Sequence, residues 1–83
     1  MNKLLTKYWI EFDSLDSSWR SVGITAYTEE DAINIIKEYL KNDTLPEIID
    51  LQSNINLNEL DQNHVIPNMS EPYFRGIWYP KIG

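Results

Sequence analysis

The chain has 83 residues, 42% of them hydrophobic and 24% charged, with three Trp, five Tyr and no Cys. That length supports one core, so residues 1–83 are read as a single domain, and the composition is that of a folded chain rather than a disordered one. The missing cysteine excludes disulfides, thiolate metal sites and a cysteine nucleophile, and a net charge of -6 disfavours nucleic acid or an anionic membrane as a direct partner.

The segment from Met1 to Lys7 carries no long apolar stretch, and apolar runs elsewhere are short. Neither a secretion signal nor a membrane span is expected, which points to a cytoplasmic protein. In Tyr8-Trp9-Ile10-Glu11-Phe12 the residues Tyr8, Ile10 and Phe12 fall on one face and Trp9 and Glu11 on the other, the period of a half-buried strand. Asp13 to Ser18 is a polar turn whose short side chains bond nearby backbone, and a second alternating run follows from Trp19 to Tyr27. Together the two runs predict an antiparallel hairpin.

Thr28 predicts a helix cap, with Glu29, Glu30 and Asp31 at the positive end of the helix dipole and Lys37 and Lys41 toward the negative end. Ala32, Ile33, Ile36, Tyr39 and Leu40, widened by Ile35, form one apolar stripe that has to lie on the sheet. Leu45-Pro46 marks the region where the helix has ended, because the residue before a proline is pushed out of the α region. Ile48 to Gln52 reads as a third strand. Ser53 to Ser70 reads as a long ordered loop in which Leu57 to Asp61 can form one helical turn. The last strand is predicted from Tyr73 to Tyr79, with Phe74, Gly76 and Trp78 on one face and Tyr73, Arg75, Ile77 and Tyr79 on the other.

The order β-β-α-β-β predicts an α+β fold, a small antiparallel or mixed sheet of about four strands with one helix packed on one face, in two layers. Were the third strand to return beside the first in parallel, the result would be a ferredoxin-like fragment.

Candidate functional residues concentrate between His64 and Pro80, where four aromatics and three prolines accompany the single histidine. Histidine can exchange a proton near neutral pH, and Asp61 lies three residues before His64, yet no nucleophile or second base stands at a telling spacing. A structural histidine bonded within its loop is the simpler reading. Gly76, between Phe74 and Trp78, leaves a gap that helix packing can fill or that can form a small pocket with His64 and Asp61. Tyr73, Arg75 and Tyr79, if exposed, have the composition of an interface hot spot, and Arg75 can lie over a ring or pair with Glu11 or Glu71. Asn68 is a turn residue suited to positive φ, and the nearby prolines Pro67 and Pro72 stiffen the approach to the last strand. The acids Glu11, Asp13 and Asp16, together with the helix-start run, do not have the spacing of a calcium loop, so no metal or other cofactor is expected.

Gly23-Ile24-Thr25-Ala26-Tyr27 followed by Glu30-Asp31-Ala32, together with His64-Val65-x-Pro67-Asn68-Met69 and Arg75-Gly76-Ile77-Trp78-Tyr79-Pro80, resembles a family of small bacterial proteins without an assigned function. The resemblance implies a single intact domain and carries no activity with it.

The sequence thus favours binding over catalysis. The expectation is a small acidic protein-binding module, such as an immunity protein or an inhibitor of a basic partner enzyme, with Tyr73, Arg75, Tyr79, Glu11, Asp13 and Asp16 facing the partner. Two alternatives stand beside it. One is a small-molecule-binding or enzymatic domain with a pocket near Gly76 and His64, and the other is an accessory subunit of a larger complex that adds its last strand to a partner's sheet.

Overall fold

The computed structural model describes residues 4–13, 20–40 and 45–80. Its elements are strands β1 (Thr6–Asp13) and β2 (Ser21–Ala26), helix α1 (Glu29–Leu40), strand β3 (Glu47–Ser53), short 3-10 turns at Leu57–Glu59 and Ile66–Asn68, and strand β4 (Gly76–Tyr79). The fold is α+β, a four-stranded antiparallel sheet in the order β3-β1-β2-β4 with one helix on it. β3 pairs with β1 antiparallel, so the mixed arrangement with a parallel third strand is not formed. Trp19, Asp16 and most of the predicted hairpin turn lie outside the described residues.

Alternation along β1 and β2 decides the first core. Tyr8, Ile10, Phe12, Val22, Ile24 and Ala26 are buried against Ala32 and Ile36 of α1, with Ile33, Ile35, Leu40, Leu45, Ile48, Leu51 and Ile77 at its margin. Each fully buried isoleucine contributes roughly 1.5 to 3 kcal/mol. The helix stripe narrows toward its end, where Tyr39 is exposed. At the helix start the Asp31 N–H donates to Thr28 Oγ1 at 2.9 Å, and Asp31 Oδ2 accepts the Tyr27 N–H at 3.0 Å, a variant of the capping box that satisfies two backbone donors.

Two strand bulges override simple alternation. Between Glu11↔Asp50 and Phe12↔Ile48 the register slips by one, leaving Ile49 as the extra residue of β3. That is how Ile48 and Leu51, three apart, both reach the helix-side core while Ile49 faces solvent. Between Ile24↔Ile77 and Gly23↔Tyr79 the extra residue is Trp78. Consequently Trp78 and Tyr79 pack on the same side, where strict alternation predicts opposite sides.

β3 and β4 are the two edges of the sheet, so the connection 54–75 has to cross the sheet, a span of about 14 Å at ordinary strand spacing. With α1 on one face it crosses the other. This makes a third layer beyond the two expected, and it buries a second cluster of Trp9, Ile55, Val65 and Trp78, flanked by Leu57, Leu60, Met69 and Tyr79. The layer is tied to the strands by Ile55 N–H to the Lys7 carbonyl at 3.3 Å and Ser70 N–H to the Trp78 carbonyl at 2.7 Å. Trp78 Nε1–H donates to Thr25 Oγ1 at 3.0 Å, and the Thr25 hydroxyl donates to the Pro72 carbonyl at 2.5 Å, a chain that satisfies the polar atoms of this core. A Cβ built on Gly23 would overlap the six-membered ring of Trp78, so glycine is required there for close approach.

Candidate functional site

The predicted last strand is shorter than its sequence pattern. It begins at Gly76, because Gly76 takes a φ of +146°, a conformation costly for any residue with a Cβ, and because Arg75 just before it is drawn toward α1. Tyr73 and Phe74 therefore stand outside the sheet. Phe74, expected beside Trp78 in the core, is 70% exposed, and Tyr73 is 66% exposed.

Both sides of this aromatic pair are held. Pro72, immediately before it, is buried and bonded through its carbonyl to Thr25. Arg75, immediately after it, forms a two-point ion pair with Asp31, Nε to Oδ2 at 2.9 Å and Nη2 to Oδ1 at 2.5 Å. The partner is thus Asp31 and neither Glu11 nor Glu71, because the helix start lies beside the chain entering β4 while Glu11 lies in the half of β1 toward its other end. Hydrogen bonding and the charge of Asp31 raise the pKa of the Arg75 guanidinium, keeping it cationic at every ordinary pH. The Lys7 ammonium lies 5.9 Å from the centre of the Tyr73 ring, within cation-π range.

Tyr79 is placed differently from Tyr73 and Arg75. It is half-buried, its ring stacked on Trp9 at 5.3 Å between centroids, with Trp78 at 6.1 Å from Trp9 on the same side. The bulge at Trp78 turns Tyr79 into this cluster.

At the other end of the sheet the acids form a row. Glu11 pairs directly across from Asp50 and Asp13 from Glu47, so two carboxylate pairs face each other on adjacent strands, an arrangement that mildly destabilises a sheet. Arg20 adjoins this row, its carbonyl accepting the Phe12 N–H at 2.8 Å. No three His, Asp or Glu side chains converge to hold a metal ion among the described residues. Asp16, expected in the same acidic surface, lies outside the described residues.

His64 and Asp61 do share one turn. Asp61 Oδ1 accepts the N–H groups of Asn63 and His64 at 2.9 and 3.2 Å, its carbonyl accepts those of Val65 and Ile66, and Asn68 Nδ2 donates to the His64 carbonyl at 2.6 Å. These are bonds of the His64 backbone, which build the turn that buries Val65. Asn68 sits in the second 3-10 turn, with Pro67 near its start. The left-handed residue of the connection is Asn54 (φ 53°) and not Asn68. Around Gly76 a Cβ would meet no heavy atom within 4 Å, so the space there is open. A shallow hollow of about 490 Å³ lies instead among Lys7, Asn54, Ile55, Asn56, Leu57, Asn58 and Tyr73, at the end of the sheet where β1 begins.

Sequence reasoning missed Phe74 and Lys7 as surface residues of interest. For Phe74 a signal exists: a proline two residues before and a glycine two residues after bracket it as a break rather than a strand. For Lys7 there is none, since its surroundings are built by residues 47 to 66 positions away in the chain.

No family model matches this chain, and no curated protein or solved structure matches it. Among the described residues no helix is long and apolar enough to cross a membrane.

Proposed function

We propose that this protein is a small acidic protein-binding module that presents Tyr73 and Phe74 to a basic partner, in the manner of an inhibitor or immunity protein for a basic enzyme. The observation that carries this reading is the exposed aromatic pair held on both sides, by the Thr25 bond to Pro72 and by the Asp31 pair with Arg75. Two large rings left in water are unfavourable in the free protein, and a backbone already held in place lowers the entropy lost when they enter a partner's pocket. Aromatic and arginine residues of this kind dominate interface energies. The charge of -6 and the opposed acid pairs on β1 and β3 supply a negative field that steers a basic partner toward the domain.

Affinity capture from a lysate of the native host, at low and high salt, tests the reading when wild type and Phe74→Ser are compared. One basic protein should be retained by wild type at low salt, be depleted at high salt, and lose about 30-fold in affinity with Phe74→Ser, the effect of removing a hot spot worth about 2 kcal/mol. Equal retention by Phe74→Ser, with its circular dichroism unchanged, would remove the aromatic pair from the interface. Absence of any retained protein at either salt would count against protein binding itself.

A further inference from the structure

The hollow beside β1 gathers polar groups that the fold leaves with hydrogen-bonding capacity to spare. Lys7 is a cation with no ion-pair partner among the described residues, in a chain with thirteen acids. The side-chain amides of Asn54 and Asn58 make no hydrogen bond among the described residues, whereas Asn56 Oδ1 caps the 3-10 turn by accepting the Asn58 N–H at 2.9 Å. Buried Ile55 and half-buried Leu57 contribute apolar lining, and the Tyr73 ring, two-thirds exposed, stands at the wall. The left-handed backbone of Asn54, a conformation asparagine tolerates better than most residues, turns the chain out of β3 and into this arrangement.

The combination restricts the ligand. Among the described residues the Lys7 ammonium faces no carboxylate in the lining of the hollow, so it selects a negative group. Side-chain amides both donate and accept, which suits hydroxyl groups, whose oxygens do the same. An exposed aromatic face covers the flat apolar side of a small ring. The volume, about 490 Å³, falls in the range of small-molecule sites. We infer that the hollow lined by Lys7, Asn54, Asn56, Asn58 and Tyr73 is a binding site for a small carboxylate-bearing saccharide, with Lys7 pairing the carboxylate, the asparagine amides bonding hydroxyls and Tyr73 covering the ring. The inference shares Tyr73 with the protein-binding reading but makes no use of Phe74 or of the acidic end of the sheet, so the Phe74→Ser capture and the glucuronate titration fail separately.

The test is a ¹H–¹⁵N NMR titration of the intact protein with sodium glucuronate, and separately with glucose and with sodium acetate. Glucuronate should move the backbone and side-chain amide signals of Asn54, Asn56 and Asn58 along saturable curves, while glucose, lacking the carboxylate, and acetate, lacking the hydroxyls, each bind about tenfold or more weakly. Lys7→Gln should weaken glucuronate by about tenfold and leave the remaining spectrum in place, and Tyr73→Ser should weaken it as well. No saturable shift at these asparagines overturns the inference, as does undiminished glucuronate binding by Lys7→Gln. Acetate binding as tightly as glucuronate replaces the saccharide with a bare carboxylate and overturns it equally.

Discussion

The two faces of the sheet are sealed by different means. On one, a regular helix lays Ala32 and Ile36 onto six alternating residues of β1 and β2, and nothing but apolar contact is needed. On the other, an irregular connection covers Trp9 and Trp78, and a chain of buried hydrogen bonds through Thr25 has to be satisfied as well. A helix satisfies its own backbone, so its side chains are free to supply only packing. An irregular segment has to find partners for its backbone among side chains and strands, so its seal is held by particular bonds as much as by area.

The largest expected effect comes from truncating the centre of each face. Trp78→Ala should cost about 3 to 5 kcal/mol and Ile36→Ala about 2 to 5 kcal/mol in urea unfolding. What separates the faces is local opening. Hydrogen exchange below the unfolding transition should rise in residues 55–70 of Trp78→Ala while α1 keeps its protection, and an equal rise in both layers would show that the two seals open as one unit.

A smaller effect is expected where the second face depends on close approach. Gly23→Ala places a methyl group against the Trp78 ring and should destabilise by about 1 to 3 kcal/mol by overpacking, measured by the same urea midpoint. The alanine added at Gly76 meets open space, so any loss there comes from the backbone conformation alone. Thr25→Val, close in shape, leaves the Trp78 indole N–H and the Pro72 carbonyl without a partner and should also cost about 1 to 3 kcal/mol. A neutral outcome for Thr25→Val would show that packing alone seals this face too, and the contrast between the faces would disappear.

The smallest expected change is a gain. Glu47→Gln removes one member of the carboxylate pair with Asp13 and should stabilise by about 0.2 to 1 kcal/mol at low ionic strength, a gain that shrinks with added salt. Chemical denaturation at two salt concentrations reads it directly. A loss of stability would mean that the acid row is supported by contacts that offset the repulsion.

The ion pair between Arg75 and Asp31 follows a different rule with pH. Because the Arg75 pKa is raised in the folded state, its contribution is fully present below the ordinary arginine value and is lost only as pH rises through the higher folded value, at the far alkaline end. The hold on the aromatic pair therefore does not release on the arginine side in the neutral range.

How much of this was legible depends on which kind of seal is considered. The helix face could be read directly: the period of two in β1 and β2, the Thr28 cap, the acids of the first helical turn and the stripe through Ala32 and Ile36 are all local patterns. The same reading placed Trp9 on the side away from the helix without showing what covers it. Its cover comes from residues far away in the chain, and their position follows from strand order, which no short-range pattern encodes. In the candidate site, Tyr73 and Arg75 were singled out by residue type. The exposure of Phe74 was signalled only by the Pro72 and Gly76 that bracket it, and the pairing of Arg75 with Asp31 and the turning of Tyr79 onto Trp9 were not legible, because each depends on where a strand stops or bulges.

By itself, then, the sequence determined a cysteine-free acidic domain with a capped amphipathic helix over a hairpin, since charge, capping and periodicity act between residues close in the chain. Only the tertiary structure decided that β3 and β4 lie at opposite edges. That placement sends residues 54–75 across the second face, brings Lys7 beside Asn54 and Tyr73, and leaves Phe74 in solvent between two held residues. The reason is physical: edge positions are chosen by the pairing and packing of the whole sheet, and a bulge or a positive φ at one residue then decides which way every side chain after it points.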